Sequence, residues 1–312
     1  ELTGVMDTTL TLNADKLWLV NSSFKVGENG ILIINPGTHV ILNEKMSNLG
    51  QIIGLGASTN PIHFWGPNAI DGGTVNMNYT IFQGMEYSFK NLDGEFRYCI
   101  FKEFNIPQGE YYLFDSYGSI SFSDCQFIDG FAQASLVGGS SHIFTRCVFS
   151  NYNSYMYGSL KGLNLQFSYC NFSNVSTELD LFYNSSINTT NIFEYNNILT
   201  RSEIPLYGSS PGTIDSIAPQ YWGSIDDDII SEYCIYDFYD DASLAEVLLT
   251  DKLLVPSYIS HGITWKILIN DVEAQGDELE YLDVGTYVFD VYFNRAMDVD
   301  YEPFLTFGVD QP

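Results

Sequence analysis

An all-β fold, a right-handed single-stranded parallel β-helix, is what this sequence predicts, on three observations. The first is a repeated phrase, Phe-x-x-Cys-x-Phe, which stands at 96–101, 122–127, 144–149 and 167–172, while 77–82 and 193–198 keep its shape with other residues. The second is its spacing. From Thr80 through Cys99, Cys125, Cys147 and Cys170 to Asn196 the steps are 19, 26, 22, 23 and 26 residues, inside the roughly 20–50-residue window of solenoids and arrays. The third is the pattern within a copy, apolar-x-apolar, two outward residues, then apolar-x-apolar, as in Ile120-x-Phe122, Ser123-Asp124, Cys125-x-Phe127. Alternation with period two is a strand with one face inward, and two consecutive outward residues mark a bend into the next short strand.

A further strand signature lies between the copies, at 136–141, 156–159, 181–186 and 206–210, so three short strands make one turn of the solenoid. A unit this small cannot close a core alone and must stack on its neighbours. The Leu-x-x-Leu-x-Leu pattern of leucine-rich repeats is absent, and a sandwich would not repeat its cysteine at near-constant spacing. Upstream, 30–41 reads as strand, Pro36-Gly37 turn and strand, and 50–64 repeats that grammar one turn later. Residues 1–20, with Trp18, are expected to cap the open end, because a bare first turn exposes unpaired backbone.

The segments 30–41 and 50–64 resemble the amino-terminal turns of large secreted bacterial β-helix proteins of the pectate-lyase-like superfamily. In the same way Tyr221-Trp222-Gly223, followed by Ile229-Ile230 and 235–241, is similar to their closing segment, after which a short helix and an acidic turn are expected over the last turn. The resemblance spans about residues 5–255. Past Pro256 the grammar changes to longer alternating strands at 263–269 and 285–293. There Phe293-Asn294-Arg295-Ala296-Met297-Asp298 resembles a signature of bacterial immunoglobulin-like modules. The expected organisation is therefore a β-helix with terminal caps over 1–256 and the start of an immunoglobulin-like β-sandwich, about half of one, over 257–312. The chain stops in mid-pattern at 308–312, and further domains are expected beyond it.

With 39 acidic against 12 basic residues the formal charge is −27. A surface so acidic repels nucleic acid and anionic membrane and has few cations to grip phosphate. No apolar run reaches the ~20 residues of a membrane-spanning helix. Four of the five cysteines share one inward position, which reads as a ladder of buried thiols packing as small hydrophobes. Zinc is disfavoured, because no Cys-x-x-Cys pairs occur and the four histidines are scattered.

β-Helices of the resembled superfamily include pectate lyases and polygalacturonases, so polysaccharide chemistry is the activity to test. A lyase needs clustered carboxylates for Ca²⁺ with a nearby base. The corner column holds one aspartate, Asp124, flanked by Arg97 and Arg146, which reads as a cross-turn ion pair. The paired-acid motifs of polygalacturonases are absent, and His39, His63, His142 and His261 have no Ser or Cys partner at readable spacing. The expectation is a non-catalytic, secreted or cell-surface module for adhesion or carbohydrate binding, with a polysaccharide lyase or glycoside hydrolase as the alternative. Tyr79, Tyr98, Tyr169 and Tyr195 stand at one corner and are the candidate row for sugar rings or surface glycans. The other account of them is stacking that stabilises the corner itself. No cofactor is required. Asp226, Asp227, Asp228, Asp237, Asp240 and Asp241 crowd the closing segment, where backbone amides at a helix start and turn are the expected partners. Ca²⁺ at Asp237, Asp240 or Asp241 is the alternative.

Overall fold

A computed structural model describes residues 1–107, 112–132, 135–154, 164–176, 192–199, 206–207, 214–216, 218–249, 251–273 and 285–297. The strand signatures expected at 156–159, 181–186 and 208–210, together with Asp298 and 303–308, lie outside them. The chain forms two compact units, Glu1–His261 and Gly262–Pro312.

The first unit is an all-β parallel solenoid. The early turns contribute three short strands each: Phe24–Val26, Ile31–Ile34 and His39–Leu42 pair in parallel with Met46–Asn48, Gln51–Leu55 and Ile62–Trp65 of the next. Further along, two of the three run together in one longer strand, Tyr112–Ser123, which pairs with both Phe89–Lys90 and Asp93–Arg97. The phrase Phe-x-x-Cys-x-Phe falls where expected, its first Phe next to last in one strand and its second lying in the next. Asp93–Arg97 and Ile100–Lys102 stack on Tyr112–Ser123 and Gln126–Ala132. In-register pairing places like residues above like, so the interior is built of spines. Phe64, Phe82, Phe101, Phe127, Phe149 and Phe172 stack at 4.8–5.1 Å. Phe96, Phe122, Phe144 and Phe167 stack at 4.6–5.3 Å and meet the first spine edge-on, as Phe122 meets Phe127. Offset and edge-to-face rings satisfy the aromatic quadrupole as well as filling volume. Below Phe96 the second column continues as Met77, Gly54, Ile34 and Leu12, and Gly54 makes room for Met77, whose Sδ would lie 2.4 Å from a Cβ there.

Two expectations about the ends are corrected. Residues 1–20 are not a cap but a full turn: Gly4–Met6, Thr9–Leu12 and Leu17–Val20 pair in parallel with the three strands above them. Their alternation had been masked by polar residues such as Thr9 and Thr11, which face outward on a wall that needs only one apolar face. Nor does the solenoid stop at Tyr221-Trp222-Gly223. Ile235–Tyr236 pairs in parallel with Leu206–Tyr207, Glu246–Leu248 with Ile214–Ser216, and Lys252 with Gln220. The helix Asp227–Cys234 is an insertion within this further turn, and Ile230 and Cys234 join Trp222 in the core.

In the second unit, Thr264–Ile269, Val272–Glu273 and Phe289–Phe293 form a three-stranded antiparallel sheet. Asn270 and Asp271, at φ 49° and 66°, make the two-residue turn that such a hairpin favours. Asn294 ties the edge by exchanging hydrogen bonds with Ile263, 2.9 and 3.2 Å. A small antiparallel sheet is what is described of this unit, and no second sheet facing it is among the described residues.

Candidate functional site

The corner inside each repeated phrase positions the candidate residues. A strand ends on an outward residue, and these lie in register from turn to turn as Asn78, Arg97, Ser123, Thr145, Ser168 and Glu194. The next residue, Tyr79, Tyr98, Asp124, Arg146, Tyr169 or Tyr195, is left-handed, with φ between 42° and 59°. That conformation costs a non-glycine residue about 1–2 kcal/mol. It persists because each of these amides still donates to the neighbouring turn, at 2.8–3.2 Å, from Tyr79 on Arg97 to Tyr195 on Pro219. One left-handed residue thus redirects the chain without interrupting the hydrogen bonds between turns.

The inward residue that follows completes the corner. Cys99, Cys125, Cys147 and Cys170 are buried free thiols. Each Sγ–H donates to a carbonyl of the preceding turn, that of Met77, Phe96, Phe122 or Phe144, at 3.3–3.6 Å. Asn196 and Gln220 continue the column in the same way, their amide nitrogens donating to Phe167 and Phe193 at 3.0 and 2.7 Å. Their amide oxygens accept from the backbone of Cys170 and Asn196, both at 2.7 Å. The cysteines are therefore hydrogen-bonding members of a polar ladder as well as small hydrophobes. Burial pushes the Cys99 and Cys147 thiols well up, and that of Cys234 to about 11.

On the outside the tyrosines do not form one row. Tyr79 stacks on Tyr98 at 4.6 Å and Tyr169 on Tyr195 at 5.4 Å, each pair within 9° of parallel. Between the pairs stands the Asp124–Arg146 ion pair, bidentate at 2.8 and 2.6 Å. Arg97 turns away to Glu95, 2.6 Å distant in its own strand. The structure adds His261, whose Nε2 lies 3.7 Å from Asp124 Oδ1.

His261 arrives on a strap, residues 257–261, that runs back over the outer wall. Asn197 accepts from the Ser257 amide at 2.8 Å and donates to Ser260 Oγ at 2.6 Å and to Asn171 Oδ1 at 2.7 Å. Asn171 in turn donates to the His261 carbonyl at 3.2 Å. Both asparagines occupy outward positions yet are fully buried. Sequence reading missed them; the available signal was two asparagines on adjacent turns in a column that elsewhere holds Ile100, Gln126 and Val148.

In the acidic segment Asp226 caps the helix by accepting from the Asp228 amide at 3.0 Å, and Asp227 is bridged by Lys252 at 2.5 Å. Asp237 is buried, one oxygen accepting from the Tyr239 amide at 3.0 Å and the other from the Val247 amide at 2.8 Å. Asp240 accepts from the Asp237 amide at 3.1 Å and Asp241 from that of Ser243 at 2.8 Å. This last bond holds the Asp241 carboxyl below its ordinary range. Among the described residues, no group of three or more His, Cys, Asp or Glu is placed to hold a metal ion, and no helix is long and apolar enough to cross a membrane.

No family model matches the chain, and neither a curated protein nor a solved structure matches it.

Proposed function

We propose that the chain is a non-catalytic, ligand-binding right-handed β-helix of the pectate-lyase-like kind, carried on a secreted or cell-surface protein and followed by an immunoglobulin-like module. Its ligand is a polysaccharide or a cell-surface glycan, met along the corner column. The supporting observation is the file of Tyr79, Tyr98, Asp124, Arg146, Tyr169 and Tyr195 on a rigid wall, in which Tyr98 is 46 % exposed. Stacking takes one face of each ring, so sugar rings would use the remaining face and the phenolic edge, with Asn78, Ser123 and Thr145 beside them to meet hydroxyls. Retardation of the chain in gels cast with neutral and acidic polysaccharides tests this. Tyr98→Ala and Tyr169→Ala should abolish it, and retardation that survives both substitutions excludes the column.

The meeting of Asp124, Arg146 and His261 favours a second reading, a polysaccharide lyase or hydrolase, because it sets a carboxylate, a guanidinium and an imidazole together on the outer wall. New reducing ends or unsaturated products from the same polysaccharides, lost in His261→Ala, would establish it. Ca²⁺ at Asp237, Asp240 or Asp241 is proposed only as a stiffener. A melting midpoint that is the same in Ca²⁺ and in EDTA would leave the amide hydrogen bonds as the whole account of that turn.

A further inference from the structure

His39 and His63 are register partners on adjacent parallel strands of the outer wall, where strand spacing is about 4.8 Å. Both are outward and half-buried. Their rings lie 5.0 Å apart and 20° from parallel, and Trp65 stacks against both, at 4.9 and 5.2 Å. His39 Nδ1 is buried without a hydrogen-bond partner, an uncommon state for an imidazole nitrogen and one that a ligand would relieve. Trp65 is itself held in place, donating through Nε1 to Gln83 Oε1 at 3.2 Å, and Gln83 donates to Glu103 at 2.6 Å. We propose that His39 and His63 form a two-imidazole chelate for a divalent transition-metal ion of the Cu²⁺ or Ni²⁺ class, with water completing the coordination sphere.

Neutral imidazole is the ligating form. Burial, then the neighbouring His39, then Lys102 hold the His63 pKa below its ordinary value, which favours its ligating form. Two metal–nitrogen bonds of about 2.0–2.1 Å span the gap between adjacent strands once the rings swing out of their parallel stack. Two nitrogens with open positions suit the tetragonal geometry of Cu²⁺ and Ni²⁺, and Cu²⁺ leads the affinity order for such a site. Lys102 opposes a cation here, but the chain's charge of −27 raises the local cation concentration over the whole surface.

The test is a Cu²⁺ titration of the full chain at neutral pH, followed by tryptophan emission and by electron paramagnetic resonance. A single equivalent should quench emission, reversibly with EDTA, and give a spectrum with two equatorial nitrogens. His39→Asn and His63→Asn should each weaken binding by at least about tenfold, no less than the loss of an outer-shell partner costs. Trp65→Phe should keep the resonance spectrum and lose most of the quench. Melting curves of the three outward variants guard against unfolding as the cause. Wild-type affinity in either histidine variant overturns the proposal, as does an unchanged quench in Trp65→Phe.

Discussion

Tyr98 and Cys99, Asp124 and Cys125, Arg146 and Cys147, Tyr169 and Cys170 are chain neighbours that stack into two columns, one outside the solenoid wall and one inside it. The inner column changes its chemistry from thiol to carboxamide at Asn196 and Gln220, yet each of these side chains donates to a carbonyl of the preceding turn. The outer column changes from ring to charge and back to ring, pairing across turns each time but by a different interaction. Inside, volume and the backbone groups left at the bend fix the task, and any compact hydrogen-bonding group performs it. Outside, water competes for every group, so only complementarity between neighbouring turns matters.

The sharpest way to break this contrast is to put a charge in the inner column. Cys147→Arg buries an unpaired guanidinium at the centre of the stack and should cost on the order of 4 kcal/mol or more, seen as loss of the far-ultraviolet strand signal or a truncated melt. Next comes Asn196→Ala, which leaves the Cys170 amide and the Phe167 carbonyl buried without the partners they have now. It should cost roughly 2–4 kcal/mol by urea denaturation. A cost below that of an ordinary surface change would show that the ladder is packing alone.

Alkali probes the core beside this column, where the inserted helix buries Cys234. The unfolded chain releases the Cys234 thiol proton near 9.0, whereas burial in the folded chain holds it to about 11. The stability that Cys234 contributes is therefore complete below pH 9 and falls as pH rises toward 11, because the unfolded state then binds fewer protons. Urea midpoints against pH should show this fall, flattened in Cys234→Ala; an identical slope in the variant would assign the effect elsewhere.

On the outer column the effects shrink. Asp124→Asn removes a partly exposed charge from its partner while keeping a residue that tolerates left-handed backbone, and it should cost about 1 kcal/mol or less, diminishing in salt. The smallest effect has the opposite sign. Glu103 is left-handed at φ 53°, at the bend where the preceding turn has Gly84. Glu103→Gly should raise the melting midpoint by relieving up to about 1 kcal/mol of backbone strain, offset by the lost Gln83 hydrogen bond. A lower midpoint would mean that the side-chain bond outweighs the strain.

The repeated turns were legible because inward positions repeat residue type as well as polarity: Phe122, Cys125 and Phe127 announce their place. The first turn was not legible, since Leu10, Leu12, Trp18 and Val20 face the right way without that vocabulary. The last turn was hidden by an eight-residue helix inserted between its landmarks. At the corner, the spacing revealed two outward residues but not that the second is left-handed, because Tyr and Arg have no local preference for it and the neighbouring turns impose it. The tyrosine pairs and the Asp124–Arg146 contact follow from counting along the repeat. The approach of His261 does not, because it depends on Asn171 and Asn197 recruiting a segment 60–90 residues downstream.

That strap has a mechanical consequence. Tension entering the first unit from residue 262 onward reaches His261, Ser260 and Ser257 before it reaches the strand Glu246–Leu248. The strap's hydrogen bonds to Asn171 and Asn197 would have to give way before load fell on the terminal turn. A solenoid pulled at its last strand would unravel turn by turn from that end. Here the pull is first delivered to the side of the wall, two and three turns back, where the strands are paired above and below.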